Sequence, residues 1–65
     1  MNAARLRGII AENGLSQREV AKAIGLSEKT FYAKMKKGVF GTDEAEAMIR
    51  LLNIKNPAVI FLQSE

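Results

Sequence analysis

The chain has 65 residues, with ten Lys and Arg against seven Asp and Glu, and it contains no Cys and no His. A chain of this length can form one small core, so we expect a single domain over residues 1–65. The missing side chains exclude disulfides, thiol nucleophiles, Cys/His zinc sites and histidine acid/base chemistry. No run approaches the roughly 20 apolar residues that span a bilayer, and no secretory leader is apparent. We therefore expect a cytoplasmic protein without metal or other cofactor.

The basic side chains are concentrated in the first two thirds of the chain. Residues 1–41 hold eight Lys and Arg against three acidic residues, whereas residues 42–65 hold two against four. This distribution indicates that the first two thirds face a polyanion. The alternative is that these charges only solvate helices, and the spacing of the residues must decide between the two.

The first predicted helix has apolar residues at i, i+3 and i+4, namely Leu6, Ile9 and Ile10. Asn13 and Gly14 follow as a left-handed C-cap. Gly8 lies inside this helix, where glycine costs roughly 1 kcal/mol relative to alanine. Either another helix crosses closely at Gly8 or the first helix is somewhat weak, and we favour the close crossing.

The second and third predicted helices are separated by a very short connection. Ser16 and Glu19 form a capping box that begins the second helix, whose buried face is Val20, Ala21 and Ile24. Gly25 ends this helix, and Ser27 caps the next one with Leu26 stapled to Phe31. Phe31 and Met35 give the third helix its core face, and Gly38 ends it. Val39 and Phe40 are expected to be apolar anchors in the loop that follows.

The last third of the sequence predicts one long helix and one short one. Thr42 or Asp43 is expected to cap a fourth helix, in which acidic residues occupy the first turn and the buried face consists of Ala45, Met48, Ile49 and Leu52. Asn56 and Pro57 begin a fifth helix that runs to about Leu62. The apolar run 58–62 would also serve as a strand, although we favour the helix. The predicted fold is all-α, with four to five helices.

Five residues across the second and third helices form an informative constellation: Gln17, Ala21, Gly25, Ser27 and Phe31. A small residue at the helix crossing, a glycine in the turn and an aromatic anchor fix two helices at a steep angle. An ordinary αα-hairpin is the alternative. The stretch LSQREVAKAIGLSEKTFYAKMKKG, residues 15–38, resembles the helix-turn-helix of phage repressor and Cro proteins and their relatives in the xenobiotic-response-element family. The helix-turn-helix motif itself covers residues 16–37.

The resemblance implies a compact lambda-repressor-like DNA-binding domain, with residues 27–36 as a recognition helix in the major groove and the second helix crossing above it. Helical spacing independently places Lys29, Tyr32, Ala33 and Lys36 on one face, turned away from Phe31. A stripe of lysines, one tyrosine and a small alanine suits a groove about 12 Å wide. A merely solvated lysine face would explain the lysines but not Tyr32.

The resemblance also implies roles for individual side chains. The start of the recognition helix is expected to read base edges through Ser27, Glu28, Lys29 and Thr30, with Tyr32 and Ala33 one turn on. Glu28 has the alternative role of stabilising the helix dipole. The expected phosphate contacts are Gln17, Arg18, Lys34, Lys36 and Lys37, with Arg5 and Arg7 as weaker candidates. Lys34 departs from the family, which usually has an apolar residue there; we expect Met35 to take the core role and Lys34 to extend to a phosphate.

The expected partner is a palindromic double-stranded DNA operator, bound by a homodimer whose half-sites lie about 34 Å apart. The apolar run Val59, Ile60, Phe61 and Leu62 is the candidate dimer interface, unless Ile60 and Phe61 only close the core. The first functional hypothesis is a sequence-specific transcriptional regulator of the repressor or Cro type, in a bacterial or phage-infected cell. The second is a protein-interaction adaptor or antitoxin-like module. No enzymatic activity or small-molecule ligand is expected, because a helix N-terminus explains the acidic cluster at 43–46.

Overall fold

The computed structural model describes residues 1–62, which form five helices and no strand. In chain order they are α1 (Ala3–Glu12), α2 (Gln17–Ala23), α3 (Glu28–Lys37), α4 (Thr42–Leu52) and α5 (Pro57–Phe61). The predicted all-α fold is therefore confirmed, and the run at 58–62 takes the helical alternative. None of the helices in residues 1–62 is both long enough and apolar enough to cross a bilayer.

All five helices contribute to one core, together with the turn after α4. Its buried residues are Leu6, Ile10, Val20, Ala21, Phe31, Met35, Met48, Leu52, Ile54 and Ile60. The predicted core residues Ile9, Ile24 and Ile49 pack at its edge and are only partly buried. Ile54 was not predicted, because it follows the end of α4 and belongs to no periodic run.

Each of the first four helices is followed by a residue of positive φ. Backbone N–H groups at and after this residue donate hydrogen bonds to carbonyl oxygens at the end of the helix. The left-handed residues are Gly14, Gly25, Gly38 and Asn53. After α4, for example, the Ile54 N–H donates to Ile49 O at 3.0 Å, and Asn53 N–H donates to Arg50 O. This is the Schellman pattern, in which the residue after the left-handed one turns back toward the helix. The turn carries Ile54 into the core, where it is only 8% exposed.

The two ends of the described chain are joined by a backbone hydrogen bond. Asn2 caps α1 by accepting the Arg5 N–H on its side-chain oxygen at 3.1 Å. The Asn2 N–H itself donates to Ile60 O, in α5, at 2.7 Å. The start of α1 is therefore fixed against α5, and Ile60 is fixed on the core side.

Three local predictions were wrong. Gly8 is exposed, and a Cβ built there would meet no atom within 4 Å, so no helix crosses closely and the weaker-helix alternative remains. The N-cap of α4 is Gly41, and Thr42 is already helical, because the Glu44 carboxylate accepts the Gly41 N–H at 2.8 Å. Of the two loop anchors, Phe40 packs on Phe31 with ring centroids 5.3 Å apart, whereas Val39 is 66% exposed.

Candidate nucleic-acid interface

The connection between α2 and α3 is as short as the sequence predicts. Gly25 adopts a φ of +83°, a conformation in which a side chain is strained although no neighbouring atom would touch it. The Leu26 N–H donates to Ala21 O at 2.9 Å, and Ala21 is buried at the point where the two helices meet. α3 therefore starts directly after α2 ends, and the pair is held by local backbone bonds.

Side-chain caps define where both helices begin. Ser16 Oγ accepts the Glu19 N–H at 3.1 Å, while Glu19 Oε1 accepts the Ser16 N–H at 2.8 Å, which confirms the capping box. At α3, Ser27 Oγ accepts the Thr30 N–H at 3.1 Å and donates to Thr30 Oγ1 at 2.8 Å. The Ser27 hydroxyl is thus occupied at its donor position and at one acceptor position.

The exposed side of α3 carries the four predicted stripe residues. Phe31 and Met35 anchor the opposite side, being 0% and 5% exposed. Lys29, Tyr32, Ala33 and Lys36 are all exposed. The rings of Tyr32 and Phe31 are in edge-to-face contact, with their centroids 6.4 Å apart and their planes at 79° to each other. The Tyr32 ring thus contacts the core residue Phe31, while Tyr32 as a whole remains 45% exposed.

The remaining basic residues of the helix pair border this stripe. Arg18 on α2 and Lys37 at the end of α3 are exposed, Gln17 is half-buried, and Glu28 is exposed in the first turn of α3. Lys22, which was not predicted as a contact, is exposed as well. The sequence does contain a signal for Lys22 as a further contact. Lys22 stands four residues after Arg18, and residues at that spacing share a helix face.

Lys34 does not extend toward solvent. Its ammonium group lies 2.8 Å from Glu44 Oε1 and 2.9 Å from Glu44 Oε2, and the two side chains are 33% and 19% exposed. The hydrogen bond from Lys34, followed by that from the Gly41 N–H, lowers the pKa of Glu44, against a smaller opposing effect of burial. The Lys34 charge therefore ends at a carboxylate of α4, and not at the position expected of a phosphate contact.

The candidate dimer face is smaller than the sequence predicts. Ile60 is 2% exposed and belongs to the core, so its assignment to an interface was wrong, and Phe61 packs partly against the same core. Val59 and Leu62 remain exposed, at 36% and 80%. Leu62 borders an open groove whose other apolar walls include Val39, Phe40 and Phe61. The exposed apolar surface is therefore shared between α5 and the loop that follows α3.

Residues 1–62 contain no group of three or more Asp and Glu side chains that could hold a metal ion. The acidic residues at the start of α4 are engaged with Gly41 and Lys34 through Glu44, or lie exposed in the first turn.

Comparison with known proteins identifies the family. A family model described as the antitoxin Xre-like helix-turn-helix domain matches residues 5–53, which include nearly all of α1 and the whole of α2, α3 and α4. Neither a curated protein nor a solved structure matches the chain. The matched segment contains the helix pair whose caps, turn and exposed stripe are described above. The chain belongs to the Xre-like helix-turn-helix family.

Proposed function

We propose that this domain binds double-stranded DNA in a sequence-specific manner and regulates transcription, as a repressor or Cro-like protein in the cytoplasm. α3 enters the major groove and α2 crosses above it. The observation that carries the proposal is the division of α3 into two faces. Phe31 and Met35 fix one face in the core, while the opposite face offers two lysines, a tyrosine and an alanine to solvent. No step of this function requires a cofactor or a chemical reaction.

The proposed contacts fall into two groups. Base edges are read from the start and middle of α3, by Glu28, Lys29, Thr30, Tyr32 and Ala33, whereas Ser27 acts mainly as the helix cap that places them. Phosphates are contacted by Gln17, Arg18, Lys36 and Lys37, and the exposed position of Lys22 adds it to this group. The first group determines which sequence is bound, and the second contributes affinity for any duplex.

The proposed bound state is a homodimer on a palindromic operator. One domain measures only 25 × 22 × 19 Å, so a single copy covers about one half-site. Val59 and Leu62 are exposed apolar residues on α5 and its end, which supports contact with a second copy there. Sedimentation at micromolar concentration, with and without operator, tests this part. A strict monomer under both conditions would remove it.

Selection of bound duplexes from a random pool tests the DNA-binding proposal most directly. We expect a consensus with two-fold symmetry, and affinity that falls steeply as salt rises, with a log–log slope of about −0.9 for each phosphate contacted. A pool that yields no consensus would contradict sequence-specific recognition. The same titration gives the number of phosphates neutralised.

A second candidate function is binding of a partner protein, as in an antitoxin. The description of the matching family model favours it, because that model is defined as an antitoxin-type domain. The apolar groove bordered by Val39 and Leu62 would then receive the partner. Binding through such a surface would be almost indifferent to salt, which separates it from binding to DNA. The two functions can coexist, because the groove and the α3 stripe use different residues.

A further inference from the structure

Lys34 is placed differently from the other basic residues of α3. With 100° between successive residues, it stands about 60° around the helix from the buried Phe31 and about 140° from Lys29. It therefore lies beside the core face and outside the exposed stripe. Both oxygens of Glu44 accept its hydrogen bonds, at 2.8 and 2.9 Å. This is a closer ion pair than that of Arg50 and Glu46, which are 3.8 Å apart within α4.

The pair connects the end of α3 to the beginning of α4. Glu44 Oε1 accepts the Gly41 N–H at 2.8 Å as well as the Lys34 bond, so one carboxylate fixes both the start of α4 and the last turns of α3. The short link at 38–41 between the two helices is held at a second point by the packing of Phe40 on Phe31. In addition to the shared core, one aromatic contact thus holds the link against α3 and one charged contact joins α3 to α4.

The same geometry argues against a phosphate at Lys34. A phosphate oxygen within reach of the ammonium would also approach the Glu44 carboxylate, and the two anions repel. The pair has no net charge, so it adds little to the attraction of the duplex. Moving Lys34 away would leave the partly buried Glu44 carboxylate without its cation, at a modest cost.

We propose that Lys34 and Glu44 are positioning residues, whose ion pair holds the α3 stripe in its DNA-binding orientation although neither residue touches DNA. This inference rests on the proposed function and adds to it a role for an acidic residue. It assigns to Lys34 a role different from the phosphate contact that the sequence suggests. It also makes Glu44, which carries the same sign of charge as DNA, favourable for binding.

Glu44→Gln tests the proposal because it should change the affinity for DNA in opposite directions under two explanations. In one, only the total charge of the domain matters, and in the other, the ion pair positions α3. The glutamine oxygen can still accept the Gly41 N–H, so the start of α4 is preserved, but the ion pair is lost. If only total charge mattered, removing an acidic group would strengthen binding and release Lys34 to a phosphate, making the salt slope steeper. If the pair positions α3, binding to the selected operator weakens roughly three- to tenfold, which lies within the range of such indirect effects. The salt slope then stays unchanged.

Glu46→Gln is the matched control. Glu46 is exposed on the same helix, and its loose partner Arg50 is also on α4, so this variant removes the same charge without affecting α3. We expect it to bind the operator as well as the wild type or slightly more tightly. Lys34→Met provides the second variant and retains the aliphatic stem. It should reproduce the loss of Glu44→Gln without changing the salt slope, whereas a lost phosphate contact would reduce the slope by about 0.9.

Affinity should be measured by fluorescence anisotropy on the selected operator and on a scrambled duplex, below the melting temperature of each variant. The positioning role is supported if Glu44→Gln and Lys34→Met lose affinity for the operator while their affinity for the scrambled duplex stays unchanged. If the wild-type domain binds DNA and Glu44→Gln has the same operator affinity as Glu46→Gln, the positioning role is overturned but the proposed function is not. A reduced slope in Lys34→Met would also overturn it. A wild-type domain that binds no DNA would overturn the proposed function, and with it this inference.

Discussion

Lys29 and Lys37 have the same side chain on the same helix but are expected to contribute differently. Lys29 lies in the first turn of α3, next to the expected base contacts, and Lys37 is the last residue of the helix. We predict that Lys29→Ala changes which operator is preferred, since a contact to a base edge discriminates by about 1–3 kcal/mol. Lys37→Ala should weaken binding to all duplexes alike and reduce the salt slope by about 0.9.

Selection from a random pool with each variant measures both effects. The wild-type consensus should be returned by Lys37→Ala and not by Lys29→Ala. If Lys29→Ala returned the wild-type consensus, Lys29 would not be a base-reading residue. The assignment of roles along α3 would then have to be reversed or abandoned.

Glu44 gives the domain a predicted dependence on acid pH. Its pKa is lowered from the ordinary value of 4.5 because Lys34 and Gly41 donate hydrogen bonds to the carboxylate. A carboxyl group with a lowered folded-state pKa adds stability that is fully present above pH 4.5 and is lost as the pH falls through the folded-state pKa. We predict that Glu44→Gln lowers stability at pH 7 by up to about 1 kcal/mol. The difference from wild type should shrink below pH 4.5.

Thermal unfolding followed by circular dichroism, repeated between pH 3 and pH 7, checks this prediction; for a domain of this size about 1 kcal/mol corresponds to several degrees in Tm. Glu46→Gln again serves as the control. A gap between wild type and Glu44→Gln that stayed constant over the whole range would show that the ionised carboxylate is not the source of the stability.

The ends of the helices are the features that sequence predicts best in this fold. The capping box of Ser16 and Glu19 and the left-handed turn at Gly25 depend only on residues within a few positions of each other, and both were predicted. The start of α4 was not predicted, because its N-cap is a glycine without a cap side chain, whose N–H donates to the Glu44 carboxylate. The partner of Lys34 also lay beyond prediction. It is ten residues away on another helix, and periodicity does not indicate which side chains meet across helices.

Substitution of glycine by alanine is expected to have opposite effects on stability at Gly8 and at Gly25. A Cβ at Gly8 or at Gly25 would meet no atom within 4 Å, so crowding plays no part at either position. Gly8 is inside α1 with ordinary helical geometry, and Gly8→Ala should stabilise the domain by roughly 0.5–1 kcal/mol. Gly25 has a φ of +83°, and Gly25→Ala should destabilise it by roughly 1–2 kcal/mol.

Chemical denaturation of the two variants measures the difference. Each substitution adds the same methyl group in open space. If both variants changed the free energy of unfolding in the same direction, backbone conformation would not be what controls the effect on stability. Gly25→Ala should also weaken DNA binding if its effect reaches the α2–α3 angle. Gly8→Ala should leave DNA binding unchanged.

At the scale of the whole molecule, the folding unit is larger than the segment that the family model matches. That segment ends at residue 53, whereas Ile54 and Ile60 are core residues and Asn2 supplies the cap of α1. Loss of one such buried side chain costs about 2–5 kcal/mol. A domain of this size has a total stability of only a few kcal/mol. We predict that a fragment of residues 5–53 is largely unfolded.

Circular dichroism of the fragment beside the 65-residue chain tests this prediction. A cooperative melting transition in the fragment would show that α5 and the turn before it are not needed for folding. A chain that retains residues 1–62 is expected to melt cooperatively, because the Asn2–Ile60 hydrogen bond and the core connect its first and last helices.

Met1 stands beside the end of α3, which matters for how the protein is prepared. Its Cβ lies 4.0 Å from the position that a Cβ at Gly38 would take, and it borders the groove next to Leu62. A purification tag fused ahead of Met1 would emerge between the last turn of α3 and the exposed apolar surface. Such a tag would lie close to both surfaces of the proposed function, so the proposed operator binding and self-association should be measured after it has been cleaved.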